Sequence, residues 1–349
     1  MVTLAAFVVV MAGAMAAESI ITPMLLSFFI AVISVQPVLW LTERKVNHTL
    51  AVLIVLTLII GLFGGLAAVL GNSVNNFAQD TPLYANKLRN ILDGFIQYLN
   101  DRGFDMPLDQ WDQKINPGQI LNYTANILTG FGAIMGNVFL IFFIVLFMML
   151  ERASIRLKAE VIASSYKNNL EVFASIIESI RTYLTLKTVI SLVTGVFIWL
   201  WLLVFGVEYA LLWGLIAFLL NYIPNIGSII AGVPAVLFAL VQLGVAGAGW
   251  TLLGFVIVNM VVGNVIEPRV MGKEMGLSTL IVFLSLIFWG FILGTVGMFL
   301  AVPLTMTFKI ILDQYPKTKW LSILLGSDEH AIELAEESAE ESVEKLSKE

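Results

Sequence analysis

Apolar residues fall along this chain in long blocks separated by short polar stretches. Five of these blocks, 46–79, 118–150, 188–207, 209–266 and 275–308, contain no Asp, Glu, Lys or Arg. A bilayer core of about 30 Å is crossed by a helix of about 20 apolar residues. Each block is therefore a transmembrane candidate, and together they specify an all-α, polytopic integral membrane protein. Residues 20–41 add a further apolar run, and 1–17 read as a short first span. A signal peptide is the other reading of 1–17, because Ala14-Met15-Ala16 resembles a cleavage site. Against it, no Lys or Arg precedes the run and a second apolar run follows at once. The missing basic flank points to a native start slightly upstream. About seven or eight membrane segments are expected in all, at about 20 residues each.

Two of the long blocks, 209–266 and 275–308, need internal breaks. A straight helix over the 34 residues of 275–308 would extend roughly 51 Å, well past the hydrocarbon thickness. If 277–308 goes out and back, Gly290, Gly294 and Gly297 supply the bend, and Pro303 is a packing position in the returning arm. One long tilted helix is the other reading. In 209–266, the stretch 211–220 is too short to span and Asn221-Tyr222-Ile223-Pro224-Asn225-Ile226-Gly227 interrupts it. Residues 229–243 then return, 244–249 turn and 250–266 descend, which makes a re-entrant helical hairpin with a broken tip.

Two segments are one-sided instead of uniformly apolar. Ile162, Tyr166, Leu170, Phe173, Ile177, Ile180 and Leu184 recur every three or four residues, the spacing of an amphipathic helix. Phe77, Tyr84, Leu88, Ile91, Phe95 and Tyr98 repeat similarly until Gly103. A further helix start is marked by Asn116 as cap and Pro117 in the first turn. G-x-x-x-G pairs at Gly61/Gly65, Gly132/Gly136 and Gly290/Gly294 predict close helix packing. Most of the Trp residues outside the 72–125 segment fall near span ends, as an aromatic belt requires.

Basic residues set the orientation. Fifteen Lys and Arg lie in 42–49, 151–187, 267–276 and 309–349, against four in 72–125. The positive-inside rule places the first group, and the C-terminus, in the cytoplasm. The domain reading is then a transport domain over 1–325, with an extracytoplasmic loop at 72–125 and a cytoplasmic amphipathic helix at 151–184. An acidic cytoplasmic tail covers 326–349. The chain's net charge of −6 belongs to that tail, which holds nine acids and two Lys, while 1–325 is nearly neutral. Composition agrees with the pattern: 59% of the 349 residues are hydrophobic and 13% charged, whereas soluble domains carry about 25% charged residues. A soluble globular enzyme, a disordered chain and a nucleic-acid binder are thereby excluded as classes.

The chemistry-bearing residues are few. With no Cys and two His, no metal cluster, thiol nucleophile or cofactor is expected. The chain has no G-x-x-x-x-G-K-[ST], H-E-x-x-H or G-x-S-x-G, so an enzyme or a self-contained ATP-driven pump is not expected. Two constellations remain. At the broken tip, Pro224 lacks an N–H and its ring pushes on the carbonyl four residues back, leaving Leu220 with an unpaired oxygen. Broken helices of this kind form solute sites in secondary transporters, with Asn221 and Asn225 as ligands; a tight turn at the membrane face is the alternative. In Asn264-Val265-Ile266-Glu267-Pro268-Arg269, the helix is expected to end at Glu267, since a residue before proline avoids helical geometry. A carboxylate at a helix C-terminus needs a partner, and Arg269 or Lys273 is the expected one. Glu267 is then either a functional group or an ion pair that pins the helix end. Glu18 and Glu208 read as solvated interface residues.

At these residues the sequence resembles the autoinducer-2 exporter (AI-2E) family of bacterial membrane proteins. The resemblance is carried by Asn221-Tyr222-Ile223-Pro224-Asn225-Ile226-Gly227 and by Glu267-Pro268-Arg269-Val270-Met271-Gly272-Lys273. A third motif is Gly294-Thr295-Val296-Gly297-Met298-Phe299-Leu300-Ala301-Val302-Pro303-Leu304. Ser228 and Thr279 stand where many members have Pro. The resemblance implies a multi-pass transporter of the bacterial inner membrane that exports a small polar signal such as autoinducer-2, in quorum sensing. It also implies a homo-oligomer, with a pentamer as one state. Sodium- or lithium-proton antiport is the family's other activity, with sodium or a proton as partner. The expected pathway residues are Asn221, Tyr222, Pro224, Asn225, Gly227, Asn264, Glu267 and Arg269. A membrane scaffold without solute flux is the reading from another class.

Overall fold

Hydrocarbon offers no partner to backbone N–H and C=O groups, so an uncharged apolar run satisfies them internally by forming a helix. The computed structural model describes residues 2–103, 138–165, 167–224, 226–271, 276–327 and 332, and among these residues it contains helices and no strand. The helices are α1 (Val2–Ala16), α2 (Glu18–Glu43), α3 (His48–Asp101), α4 (Val138–Ser165) and α5 (Lys167–Val204). They continue as α6 (Ala210–Leu220), α7 (Ile226–Val261), a π turn (Val262–Ile266), α8 (Glu267–Met271), α9 (Thr279–Asp313) and α10 (Lys319–Leu325). Among the described residues, four helical runs are long and apolar enough to cross a membrane: Glu18–Glu43, Ala174–Val204, Ile226–Val270 and Thr279–Asp313. Shorter apolar helices are His48–Leu62, Val138–Glu151 and Ala210–Leu220. Over the described residues the chain is all-helical, with several apolar helices of membrane-crossing length, as an integral membrane protein has.

It divides into two compact units. The first comprises Met1–Leu56, Leu140–Thr188 and Glu267–Glu349. Its core is built from Phe29, Val32 and Val38 of α2, Val145 and Met149 of α4, Ile180 and Leu184 of α5, and Leu286, Leu300 and Met306 of α9, all buried. Ser27 donates to Pro23 O at 2.6 Å and lies 3.4 Å from Ile141 O, which joins α2 to α4. The long helix α9 doubles back at Leu293 and Gly294, where Gly294 takes φ 60° and ψ −149°. Lys309 donates to Gly276 O at 2.7 Å, and Trp289 Nε1 to Thr305 Oγ1 at 3.0 Å, contacts that only a folded hairpin permits. The out-and-back reading of 277–308 is therefore the observed one. The bend needs a residue without a Cβ, since the left-handed region costs other residues about 1–2 kcal/mol. Ser278 caps the first arm by accepting from Ile281 N at 3.3 Å, and its own N–H donates to Leu325 O of α10 at 3.1 Å.

The second unit comprises Thr57–Phe139 and Val189–Ile266. Here α7 is a second hairpin, bent at Gly244 with φ 76° and ψ −167°. At 1.5 Å per residue each arm is about 27 Å long, close to the hydrocarbon core. The arms pack on each other at Gly232, where a Cβ would lie 3.3 Å from Phe255 Cδ1. Trp201 lies against Gly254 and donates from Nε1 to Trp250 O at 2.9 Å, while Phe205 stacks on Trp250 with ring centroids 4.9 Å apart. The closest approach of α5 and α6 is at Gly195 and Gly214, each of which faces the other's carbonyl oxygen.

Several expectations are refined or corrected. Residues 72–101 continue the helix that begins at His48, and α3 stops just before Gly103, with φ 90°, where the one-sided repeat of 77–98 predicts a helix end. Within the amphipathic stretch 151–184, residues 151–165 belong to α4 and 167–184 to α5, which runs on into the membrane span Ala174–Val204. The G-x-x-x-G pair Gly61/Gly65 has no described atom within 4 Å of either added Cβ, and the close helix contact is made by Gly195 and Gly214 instead. Trp213 is completely buried against Phe238, so it does not belong to an aromatic belt, and Trp289 bonds inside the α9 hairpin. The segments 104–137 and 333–349, with Asn116, Pro117, Gly132, Gly136 and most of the acidic tail, lie outside the described residues.

Candidate functional site

The broken tip between α6 and α7 is a compact turn. Ile223 N donates to Leu220 O at 2.9 Å, Tyr222 N to Leu219 O at 3.3 Å, and Gly227 N to Ile223 O at 3.2 Å. The expectation of an unpaired Leu220 oxygen is thus overturned: the chain tightens by one residue ahead of Pro224, and the three-residue closure takes the carbonyl that Pro224 cannot serve. Gly227 is required here, because a Cβ would sit 1.8 Å from the Leu220 oxygen. Tyr222 is half-buried with its ring edge-on to Phe218, and Pro224 is half-buried in the turn. Asn225 lies outside the described residues. The Asn221 side chain leaves the turn and donates from Nδ2 to Ser191 Oγ of α5 at 3.0 Å, where Ser191 is fully buried. This polar contact stays within the second unit.

The second constellation was expected to lie at a helix end and does not. The π turn Val262–Ile266 runs directly into α8, which holds Glu267, Pro268 and Arg269. Pro268 has no N–H to close on the Asn264 carbonyl, and its ring would press on that carbonyl in a regular helix. One turn of wider winding lets the carbonyl move aside, so the helix passes the proline without ending. Asn264 lies in that π turn and is exposed.

Glu267 does not pair with Arg269. Its Oε1 lies 2.5 Å from Nζ of Lys187, which is 80 residues earlier on α5 and 1% exposed, whereas Glu267 keeps 17% exposure. Arg269 is exposed with no described partner, and Lys273 lies outside the described residues. The cause is helix rotation. Lys187 shares a buried stripe with Ile180, Tyr183, Leu184, Ile190 and Ser191, and a buried ammonium demands an anionic neighbour. Arg269, by contrast, is on an exposed face of α8. Both members of the pair belong to the first unit.

The remaining expected residues are structural in their contacts. Gly290 faces Met298 across the α9 hairpin, and Gly297 lies against the Trp289 carbonyl. Gly294 is the bend itself, with the Glu18 carboxylate close by: a Cβ on Gly294 would lie 2.7 Å from Glu18 Oε1. Pro303 is buried in the returning arm, and its carbonyl accepts from Thr307 Oγ1 at 2.8 Å. Glu208 is exposed, with its backbone N–H donating to Gln242 Oε1 at 2.9 Å.

Sequence reasoning missed Lys187 and Ser191. The signal was there for Lys187: continuing the apolar stripe Ile177, Ile180, Leu184 by three residues lands on it, so it falls on the buried face. A lone Lys on the apolar stripe of a helix entering a membrane calls for a buried partner.

Comparison with known proteins agrees with this architecture. The model of the family described as AI-2E family transporter matches residues 4–317. AI-2 transport protein TqsA of Escherichia coli is 39% identical over 325 residues, covering 93% of this chain and 94% of its own. A Haemophilus influenzae protein named "Putative transport protein" is 38% identical over 333 residues, covering 93% and 95%. The protein named "Putative transport protein YhhT" of Escherichia coli is 36% identical over 323 residues, covering 93% of each chain. With a family match over nearly its whole length and apolar helices long enough to cross a bilayer, the chain belongs to the AI-2E family of membrane transporters.

Proposed function

We propose that this protein exports a small polar signal molecule, autoinducer-2, across the bacterial inner membrane. The observation that carries the reading is the 39% identity to the AI-2 transport protein TqsA across more than nine-tenths of both chains. In this reading the C-terminus is cytoplasmic and the transporter is a homo-oligomeric secondary transporter serving quorum sensing. The broken tip contributes the polar groups of Asn221 and Asn225 to the solute path, with Asn264 as a further ligand, and Glu267 is the gating group. What supports the Asn221 assignment is an amide directed at a buried serine instead of at the turn that its backbone builds. What supports Glu267 is an ionisable side chain placed beside an irregular helical turn inside a membrane span, the setting in which such residues serve transport.

Sodium- or lithium-proton antiport by the same fold would need a carboxylate free to exchange a cation for a proton. Glu267 is instead already neutralised by Lys187, which favours an uncharged solute. The test is autoinducer-2 transport into everted vesicles containing the purified protein. Glu267→Gln and Asn221→Ala are each expected to slow it at least tenfold, and wild-type rates from both would refute the site assignment. Sodium-dependent proton flux without autoinducer-2 transport would establish the antiporter, and no flux of either kind would establish a scaffold.

A further inference from the structure

We propose that Lys187 is a positioning residue for transport, holding the Glu267 carboxylate in its working place, and that the pair is more than a pin for the fold. This rests on the reading of Glu267 as the gating group. Four observations carry it. First, the two charges are poorly explained by stability alone. Desolvating an ammonium and a carboxylate costs about as much as their attraction returns, and a well-packed apolar pair is often as stable or more so. Second, the burial is unequal: Lys187 is sealed at 1% exposure while Glu267 keeps 17%. The carboxylate is the member that a solute or a proton can reach, and the ammonium is its fixed counter-charge. Third, the carboxylate is presented by an interrupted helix. The π turn Val262–Ile266 and Pro268 flank it directly, and a regular helix through these positions would direct residue 267 elsewhere. Fourth, both residues stand at the ends of first-unit segments, Lys187 one residue before Leu140–Thr188 closes and Glu267 where Glu267–Glu349 opens.

An ammonium offers three donors, and the carboxylate takes one described bond from it at 2.5 Å. A neutral isostere at 187 would remove the counter-charge and leave Glu267 to choose its own orientation. Methionine is the appropriate replacement, being unbranched and of similar length.

The experiment compares Lys187→Met, Glu267→Gln and the double variant with wild type, by unfolding midpoint in detergent and by autoinducer-2 transport in everted vesicles. Each single variant should lower the midpoint, because Lys187→Met leaves a carboxylate and Glu267→Gln an ammonium without its counter-charge, whereas the double variant leaves neither charge. The double variant should return the midpoint close to the wild-type value while its transport stays at least tenfold below wild type. Lys187→Met should likewise transport at least tenfold more slowly. A double variant that recovers its midpoint and transports within twofold of wild type would make the pair a structural pin and overturn the proposal. Wild-type transport by Lys187→Met alone would overturn it too, with Glu267 left standing. Wild-type transport by Glu267→Gln alone would remove the gating role of Glu267 itself, and the proposal with it.

Discussion

Replacing Gly195 by Ala tests whether α5 and α6 really meet backbone to backbone. A Cβ at 195 would lie 2.6 Å from Phe218 Cβ and 2.8 Å from the Gly214 carbonyl oxygen. The reciprocal change, Gly214→Ala, places a Cβ 2.6 Å from Trp199 Cβ and 2.8 Å from the Gly195 oxygen. Carbon atoms prefer separations of about 3.5–4.0 Å, so the helices would have to part by about 1 Å. Overpacking of this size costs about 1–3 kcal/mol. Against it stands the intrinsic gain of about 0.5–1 kcal/mol for Ala over Gly in a helix interior. The expected net effect is a loss of about 0.5–2 kcal/mol for each single change. Gly61→Ala is the matched control, because no described atom lies within 4 Å of its added Cβ; it should be neutral or gain up to about 1 kcal/mol. The double variant Gly195→Ala/Gly214→Ala should cost less than the sum of its parts, since helices already parted for one methyl accommodate the second more cheaply. Equilibrium unfolding in mixed detergent micelles measures all four. If Gly195→Ala ranks with Gly61→Ala instead of below wild type, the close crossing is wrong, and so is the packing of the second unit built on it.

Gly227→Ala should be the most damaging of the glycine changes: its Cβ would stand 1.8 Å from the Leu220 carbonyl oxygen, and backbone cannot give way cheaply. Reduced yield of folded protein by size-exclusion chromatography is the readout. Gly294→Ala should lose about 1–2 kcal/mol for its left-handed backbone, and more from crowding against Glu18, measured by unfolding in the same micelles. Lys309→Met should cost about 1.5–3 kcal/mol, the worth of a bond from a charged donor, because it removes the contact to Gly276 O at 2.7 Å that ties the returning arm of α9 to the segment just before the first arm. Asn221→Ala and Ser191→Ala should each cost about 1 kcal/mol, with a coupling of at least about 0.5 kcal/mol in a double-mutant cycle. Independent effects there would mean the amide does not reach the serine.

The class of the protein and candidate positions for its bends are legible in one dimension. Uncharged runs long enough to cross a bilayer form helices, because hydrocarbon leaves the backbone no other partner. Which run folds back is not set by length and glycine alone. Blocks 46–79 and 275–308 are both 34 residues with several glycines, yet α3 runs unbroken through the first while α9 doubles back in the second. The turn at 244–249 and the Gly290, Gly294 and Gly297 cluster mark candidate bends in the sequence, and the structure places the bends at Gly244 and Gly294 and selects the hairpin over one long tilted helix. What the tertiary structure decided is which side chains meet. Glu267 has charged candidates two and six residues along the chain, yet it pairs with Lys187, because α5 is rotated to bury that ammonium and the π turn carries the carboxylate to it. Likewise Pro224 signals a lost hydrogen bond, but only the three-dimensional turn shows Ile223 taking up the Leu220 oxygen. The glycines that bring α5 and α6 together lie on different helices, so no spacing motif within one segment records them. Hydrophobic length and backbone satisfaction are local quantities that a sequence states directly. Helix rotation and neighbour choice are set by packing across the whole fold, and there the chemistry of the candidate site is determined.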